Sequence, residues 1–315
     1  GNHDSAARLE APLPLLQEMR TEIKGVAPKR EGKPLYDDLI VELKNARGEV
    51  EALCLAVPFL RQGDYVVPEG AENTYAAGVR MFYQELVQCA ALRQTENQAL
   101  VAVGHLQAVG SEIAEKDYSE RTIIGGLECV SPDVFDERIV YTALGHIHKA
   151  QRVSGKEHVR YAGSPLPMSF AERNYHHGAV LVTLADGKLQ SIEKLPYHPL
   201  VSLLSVPSGE AVSPGEVLEL LSSLPPREEE LSAPYLEIKV LLAEPEPMFR
   251  NEVEELVKDK QVRLARIVSS YRKESVSASE EKVVEEGLEA MDPLQILKAT
   301  FEKTYQTDMP NEMVE

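Results

Sequence analysis

Ala143-Leu144-Gly145-His146-Ile147-His148 closes an apolar run that begins at Ile139. The β-branched and aromatic content of Ile139 to Leu144 predicts a buried strand. Gly145 is expected to let the backbone turn sharply at the strand's end. His146 and His148 are two residues apart, so both imidazoles project to one side if strand geometry persists. Two imidazoles on one side of a strand's C-terminal end are half of a metal site. Two ordinary loop histidines are the alternative that this pattern alone leaves open.

Upstream, Leu100-Val101-Ala102-Val103-Gly104-His105 repeats the arrangement of strand, glycine and histidine. Ahead of both, Gly1-Asn2-His3-Asp4 offers an amide oxygen, an imidazole and a carboxylate in consecutive residues. In this order the three motifs resemble the last three motifs of the calcineurin-like metallophosphoesterases. Pro58-Phe59-Leu60-Arg61, Ala143 to Ala150, and His158-Val159-Arg160-Tyr161-Ala162-Gly163-Ser164-Pro165 resemble the SbcD family. SbcD is the nuclease subunit of the bacterial SbcCD complex. The resemblance runs from residue 1 to about residue 200, and more weakly to the end. Each motif alone is common, whereas the ordered set is specific.

The resemblance implies an α/β (α+β) fold, the four-layer α/β/β/α metallophosphoesterase sandwich, with a small α/β capping domain and a C-terminal helix. The corresponding boundaries are 1–197 for the phosphoesterase domain, 198–274 for the capping domain, and 275–315 for a linker and partner-binding helix. The family begins with D-x-H and G-D-x-x-D motifs, and neither precedes Gly1. The sandwich is therefore expected to be incomplete at its N-terminus, and this piece alone nearly inactive.

By the same resemblance, Asn2, His105 and His146 would ligate one of two Mn²⁺ ions and His148 the other, whose remaining ligands are absent here. His3 would not be a ligand. It would face the phosphate or leaving oxygen as proton donor or charge stabiliser. Asp4 would hydrogen-bond His3 and fix its orientation. The implied activity is metal-dependent hydrolysis of DNA, exonucleolytic on double-stranded ends and endonucleolytic on single strands and hairpins, in repair, recombination and replication. The implied partners are DNA and an SbcC-like coiled-coil ATPase, with a homodimer inside a heterotetramer, in the cytoplasm and away from the membrane. Two rivals stand beside this reading: a generic calcineurin-like phosphodiesterase or phosphatase, and a non-catalytic partner-binding scaffold with a half site.

Composition bounds these expectations. The net charge is −18, which on its own opposes nucleic-acid binding, since phosphates are held by Lys and Arg. The acidity is uneven. Residues 200–315 hold 24 of the 51 acids but 12 of the 33 bases. The first 199 residues are much closer to neutral, and a partner subunit could supply DNA-binding surface. No apolar run approaches the roughly 20 residues that span a bilayer. Cys54, Cys89 and Cys129 are scattered and odd in number. They read as reduced, mostly buried thiols.

The rest of the chain punctuates clearly. Ser5 to Lys24 has a helical stripe that Pro12 and Pro14 divide into two segments. Glu49 to Pro58 reads as a strand, and Tyr75 to Ala91 as a long helix. Gly110 to Arg121 is a polar stretch after the His105 strand, open to a groove-lining role or to that of a plain surface loop. Asp186-Gly187 signals a hairpin between two strands. Beyond Pro199, a strand at Tyr235 to Leu242 and another at Val262 to Ser269 flank a helix at Phe249 to Lys258. A further helix is expected over Glu216 to Leu224. Met291 to Tyr305, started by Asp292-Pro293, reads as an amphipathic helix suited to a partner's groove, with packing back on the capping domain as the alternative. His176-His177 read as solvated surface, and Ser164 as a turn residue or backbone-positioning hydroxyl.

Overall fold

The computed structural model describes residues 1–19, 21–112, 129–228, 231–243 and 246–271. The chain divides into two compact units. The first holds Gly1–Leu204 with Arg227–Leu236 and Gln261–Arg263; the second holds Ser205–Pro226, Glu237–Lys260 and the residues from Leu264 onward.

A six-stranded mixed sheet is the centre of the first unit. Its order is Ile40–Lys44, Val50–Ala56, Ala99–His105, Ile139–Gly145, Lys156–Tyr161 and Gln151–Val153. The four inner strands run parallel, and an antiparallel strand closes each edge. Parallel strands are buried on both faces, which is why these segments read as near-continuous apolar runs. Period-two alternation then sorts the side chains. Leu53, Leu55, Leu100, Ala102 and Leu144 face the main core, together with Val79, Phe82 and Leu86 of the helix Thr74–Arg93. Cys54, Val101 and Tyr141 face the other way, against Val180, Val182, Leu184 and Ile192 of a two-stranded ribbon. That ribbon pairs Gly178–Ala185 with Lys188–Pro196 through Asp186 and Gly187, both at positive φ (50° and 72°). This is the backbone that a two-residue hairpin requires. Helix, mixed sheet and ribbon thus form three successive layers.

Local signals account for most element ends. The side chain of Asn73 caps the long helix by accepting from Ala76 N–H at 2.9 Å. The segment after Ser5 folds as two short helices, Ala6–Glu10 and Leu13–Glu18, divided at the prolines as expected. The second stops well before Lys24. Sequence patterning missed the edge strand Ile40–Lys44, whose burial fades outward along its length.

A three-stranded sheet, most of whose residues belong to the second unit, runs in the order Leu203–Val206, Tyr235–Leu242, Arg263–Tyr271. Leu236, Ile238 and Val240 alternate into its buried side. The helices Pro214–Ser222 and Phe249–Val257 pack on one another, the first started by a capping box of Ser213 and Glu216. Glu237 is buried in this sheet, where it accepts from Ser205 Oγ at 2.8 Å and Arg266 Nε at 2.7 Å. The expected linker and the helix Met291 to Tyr305 lie outside the described residues, as does Gly110 to Arg121 beyond Glu112. All three cysteines are free thiols, but only Cys54 is buried; Cys89 and Cys129 are half-buried, contrary to the expectation of mostly buried thiols. Among the described residues no helix is long and apolar enough to cross a membrane.

Candidate functional site

Parallel strands end together, so the residues just beyond them gather at one edge of the sheet. Phe59 comes after the strand Val50–Ala56, His105 closes its own strand, His146 and His148 come after Gly145, and Gly163-Ser164 after Tyr161. His105 stands in register with Gly145 on the neighbouring strand. That pairing explains the glycine. A Cβ on Gly145 would lie 2.8 Å from His105 Nδ1, so a side chain there would collide with the imidazole.

The sharp turn expected at Gly145 falls one residue later. His146 carries a φ of 107°, a left-handed backbone that side chains rarely adopt. Such a conformation costs about 1–3 kcal/mol and persists only where surrounding structure enforces it, often at functional sites. Strand alternation therefore does not carry through to His148 as expected. Instead Ile147 plunges into the core, and the two half-buried histidines stay on the rim either side of it.

The rings of His105 and His146 meet edge to face, with centroids 5.4 Å apart. Phe59 sets its ring edge-on against His105 at 6.1 Å, and the Arg61 guanidinium lies 5.6 Å from the Phe59 centroid. Asn2, distant in sequence, brings its Oδ1 to 2.9 Å from His105 Nε2. His3 is exposed and near enough to both His105 and His146 to interact with them electrostatically. Burial, reinforced by neighbouring positive charge, lowers both of those rings to about 4. They are neutral at neutral pH and thus competent to donate a lone pair.

Asp4 differs from expectation. Its carboxylate takes the Gly1 amino group at 2.5 Å rather than the His3 ring. That bond also holds the Asp4 carboxyl below its usual range. Its link to His3 is electrostatic only.

His148 is held differently from the other two rings. Its Nδ1 lies 2.8 Å from Glu172 Oε1, and Ser164 N–H donates to its backbone carbonyl at 2.9 Å. Glu172 is fully buried. Its second oxygen accepts from Met168 N–H at 3.0 Å and from Ser164 Oγ at 3.3 Å. His177 completes the cluster, with Nδ1 3.0 Å from the Ser164 carbonyl and Nε2 3.2 Å from the Glu172 carbonyl. His177 is therefore buried, not the solvated residue expected of a loop dipeptide, while His176 is exposed. Ser164 serves as a positioning residue, its N–H on the His148 carbonyl and its hydroxyl on Glu172. Sequence reasoning missed Glu172 altogether. Its spacing from Ser169, S-x-x-E, is the one local signal, and that signal reads as helix capping.

The fit of these groups to a metal is partial. Asn2 Oδ1 and His105 Nε2 are about 3 Å apart, as adjacent ligands of one octahedral ion are. Amide oxygen and imidazole nitrogen suit a first-row divalent cation. Among the described residues, however, no group of three or more His, Cys, Asp or Glu side chains is disposed to hold a metal ion. Two imidazoles and an amide oxygen come together, with His148 alongside on its own carboxylate.

Known proteins resemble this chain. The family described as "SbcD_C: Type 5 capsule protein repressor C-terminal domain" matches residues 199–305. The D subunit of the nuclease SbcCD from Rhodobacter capsulatus is 35% identical over 230 residues, 71% of this chain and 55% of that protein. The same subunit of Escherichia coli K12 is 31% identical over 227 residues, 68% of this chain and 52% of its own length. Its Bacillus subtilis counterpart is 29% identical over 196 residues, 60% of this chain and 46% of its own. The chain thus spans about half the length of the curated relatives it matches.

Proposed function

The chain is SbcD-like, and on that basis we propose that its protein works as the nuclease subunit of an SbcCD-type complex, hydrolysing DNA phosphodiester bonds in repair and recombination. The observation that carries this reading is the meeting of Asn2, His105 and His146 at the C-terminal edge of the sheet, from positions 2, 105 and 146. The layering of helix, mixed sheet and ribbon in the first unit is in keeping with it, as is the division into two compact units.

In this reading Asn2, His105 and His146 hold one Mn²⁺ ion and His148 contributes to a second. When bound, such a pair supplies an activated water and offsets charge on the phosphoryl oxygens. The chain's own residues do the rest. The neutral rings of His105 and His146 keep their lone pairs available. His3, exposed beside them, gives a proton or positive charge to the leaving oxygen. Arg61, its guanidinium over the Phe59 ring, would offer a cation to incoming phosphates. DNA, an SbcC-like ATPase and a second copy of the subunit are the partners this function requires.

A cleavage assay on the protein at the length of its relatives, with Mn²⁺ and a double-stranded DNA end, tests the reading. The wild type should cleave. His3→Ala should lose turnover by about 10²–10⁴-fold yet retain Mn²⁺, because its role lies in the transition state. Loss of Mn²⁺ in that variant would make His3 a ligand instead. Hydrolysis of small phosphodiesters without DNA cleavage would favour a generic phosphodiesterase. Absence of any hydrolysis, with partner binding intact, would favour a scaffold.

A further inference from the structure

We propose that Glu172 is a positioning residue for the histidine cluster: it holds His148 as the Nδ1–H tautomer and leaves the ring's lone pair on Nε2. A carboxylate can only accept, so the 2.8 Å contact between Oε1 and His148 Nδ1 assigns the proton to Nδ1. The ring cannot satisfy that contact as the other neutral tautomer.

The carboxylate is itself immobile. Met168 N–H and Ser164 Oγ fix its second oxygen. Its backbone N–H donates to the Ser169 carbonyl at 3.1 Å, and its carbonyl accepts from Tyr175 N–H at 2.8 Å. Burying a carboxylate costs several kcal/mol unless its oxygens are paired. A carboxylate needed only to tie residues 164–172 together could do so through Met168 and Ser164. Spending the other oxygen on a rim histidine gives that imidazole a defined tautomer and orientation. Ser164 N–H, bonded to the His148 carbonyl, fixes the same residue from its backbone side. Gly163 allows this approach, since a Cβ there would stand 2.6 Å from the His148 carbonyl oxygen.

The tautomer assignment stands on this geometry alone; its consequence for metal affinity rests on the reading of His148 as a ligand. Carboxylates behind metal-binding histidines act in this way generally, and their loss weakens metal binding about 10–100-fold.

The test uses the full chain labelled with ¹⁵N in its histidine rings. Above neutral pH and without metal, the side-chain nitrogen shifts of His148 should show Nδ1–H in the wild type. Glu172→Leu, which removes the acceptor, should abolish that preference. Glu172→Gln, which keeps an acceptor of equal size, should retain part of it. In a parallel Mn²⁺ titration Glu172→Gln should bind about tenfold more weakly, with its thermal midpoint little changed. An Nε2–H tautomer in the wild type would overturn the proposal. So would a Glu172→Gln variant with the wild-type tautomer population and Mn²⁺ affinity. If the wild type shows the Nδ1–H tautomer and takes up no Mn²⁺, the positioning role holds and the metal reading fails.

Discussion

His105 and His148 belong to the same edge of one sheet, yet the chain secures them by opposite means. His105 sits in a gap. Gly145 withholds a side chain beside it, Phe59 walls it, and Asn2 meets its Nε2. His148 is tied by a hydrogen bond to a buried carboxylate. The first arrangement depends on empty space and register, the second on one polar contact. Steric change should therefore damage the first half of the site most, and loss of an acceptor the second.

The largest effect should come from closing the gap. Gly145→Val would place carbon atoms where the His105 ring lies, and Mn²⁺ affinity should fall about 100-fold. Isothermal titration beside Glu172→Gln checks the ranking. Equal losses in the two variants would erase the contrast between clearance and hydrogen bonding.

A smaller effect should appear in stability against pH. In the folded chain His105 and His146 take protons at about 4, against 6.5 when unperturbed. As pH falls below 6.5 the unfolded chain binds protons that the folded chain refuses until about 4. Stability is therefore lost across that window and is insensitive to these rings above it. With allowance for the rings' partial exposure, each contributes roughly 1–2 kcal/mol. Urea midpoints measured through the window should fall in the wild type and flatten when both histidines are changed to Asn. A wild-type midpoint that is already flat would mean the rings are not desolvated.

The smallest effect separates burial from charge. Burial is the main cause of the low His146 value, and the neighbouring His148 charge comes after it. His148→Ala should thus raise the His146 pKa only slightly, as followed by NMR titration. A return to the unperturbed value would reverse that order of causes.

Much of the scaffold can be read from the chain. Tyr235–Leu242 follows from period-two alternation, the ribbon from Asp186-Gly187, and the parallel strands from apolar runs that end in glycine. These signals are local, so they survive without knowledge of neighbours. The site can be read only in part. Gly-Asn-His-Asp, Gly-His and Gly-His-Ile-His mark its members, but the reason for Gly145 lies in a ring 40 residues away in sequence. Glu172 and His177 escape because nothing local distinguishes a buried, fully bonded Glu or His from an exposed one. The left-handed turn at His146 and the edge strand Ile40–Lys44 are likewise set by tertiary context.

The most direct measurement is a Mn²⁺ titration of the ¹⁵N-histidine-labelled chain, read as paramagnetic broadening ring by ring. If Asn2, His105 and His146 share one ion, the His105 and His146 signals should broaden first and together. His148 should follow at higher Mn²⁺, and exposed His176 should be last. Broadening that begins at His176, or that spreads over all histidines at once, would contradict a metal centre at this edge of the sheet.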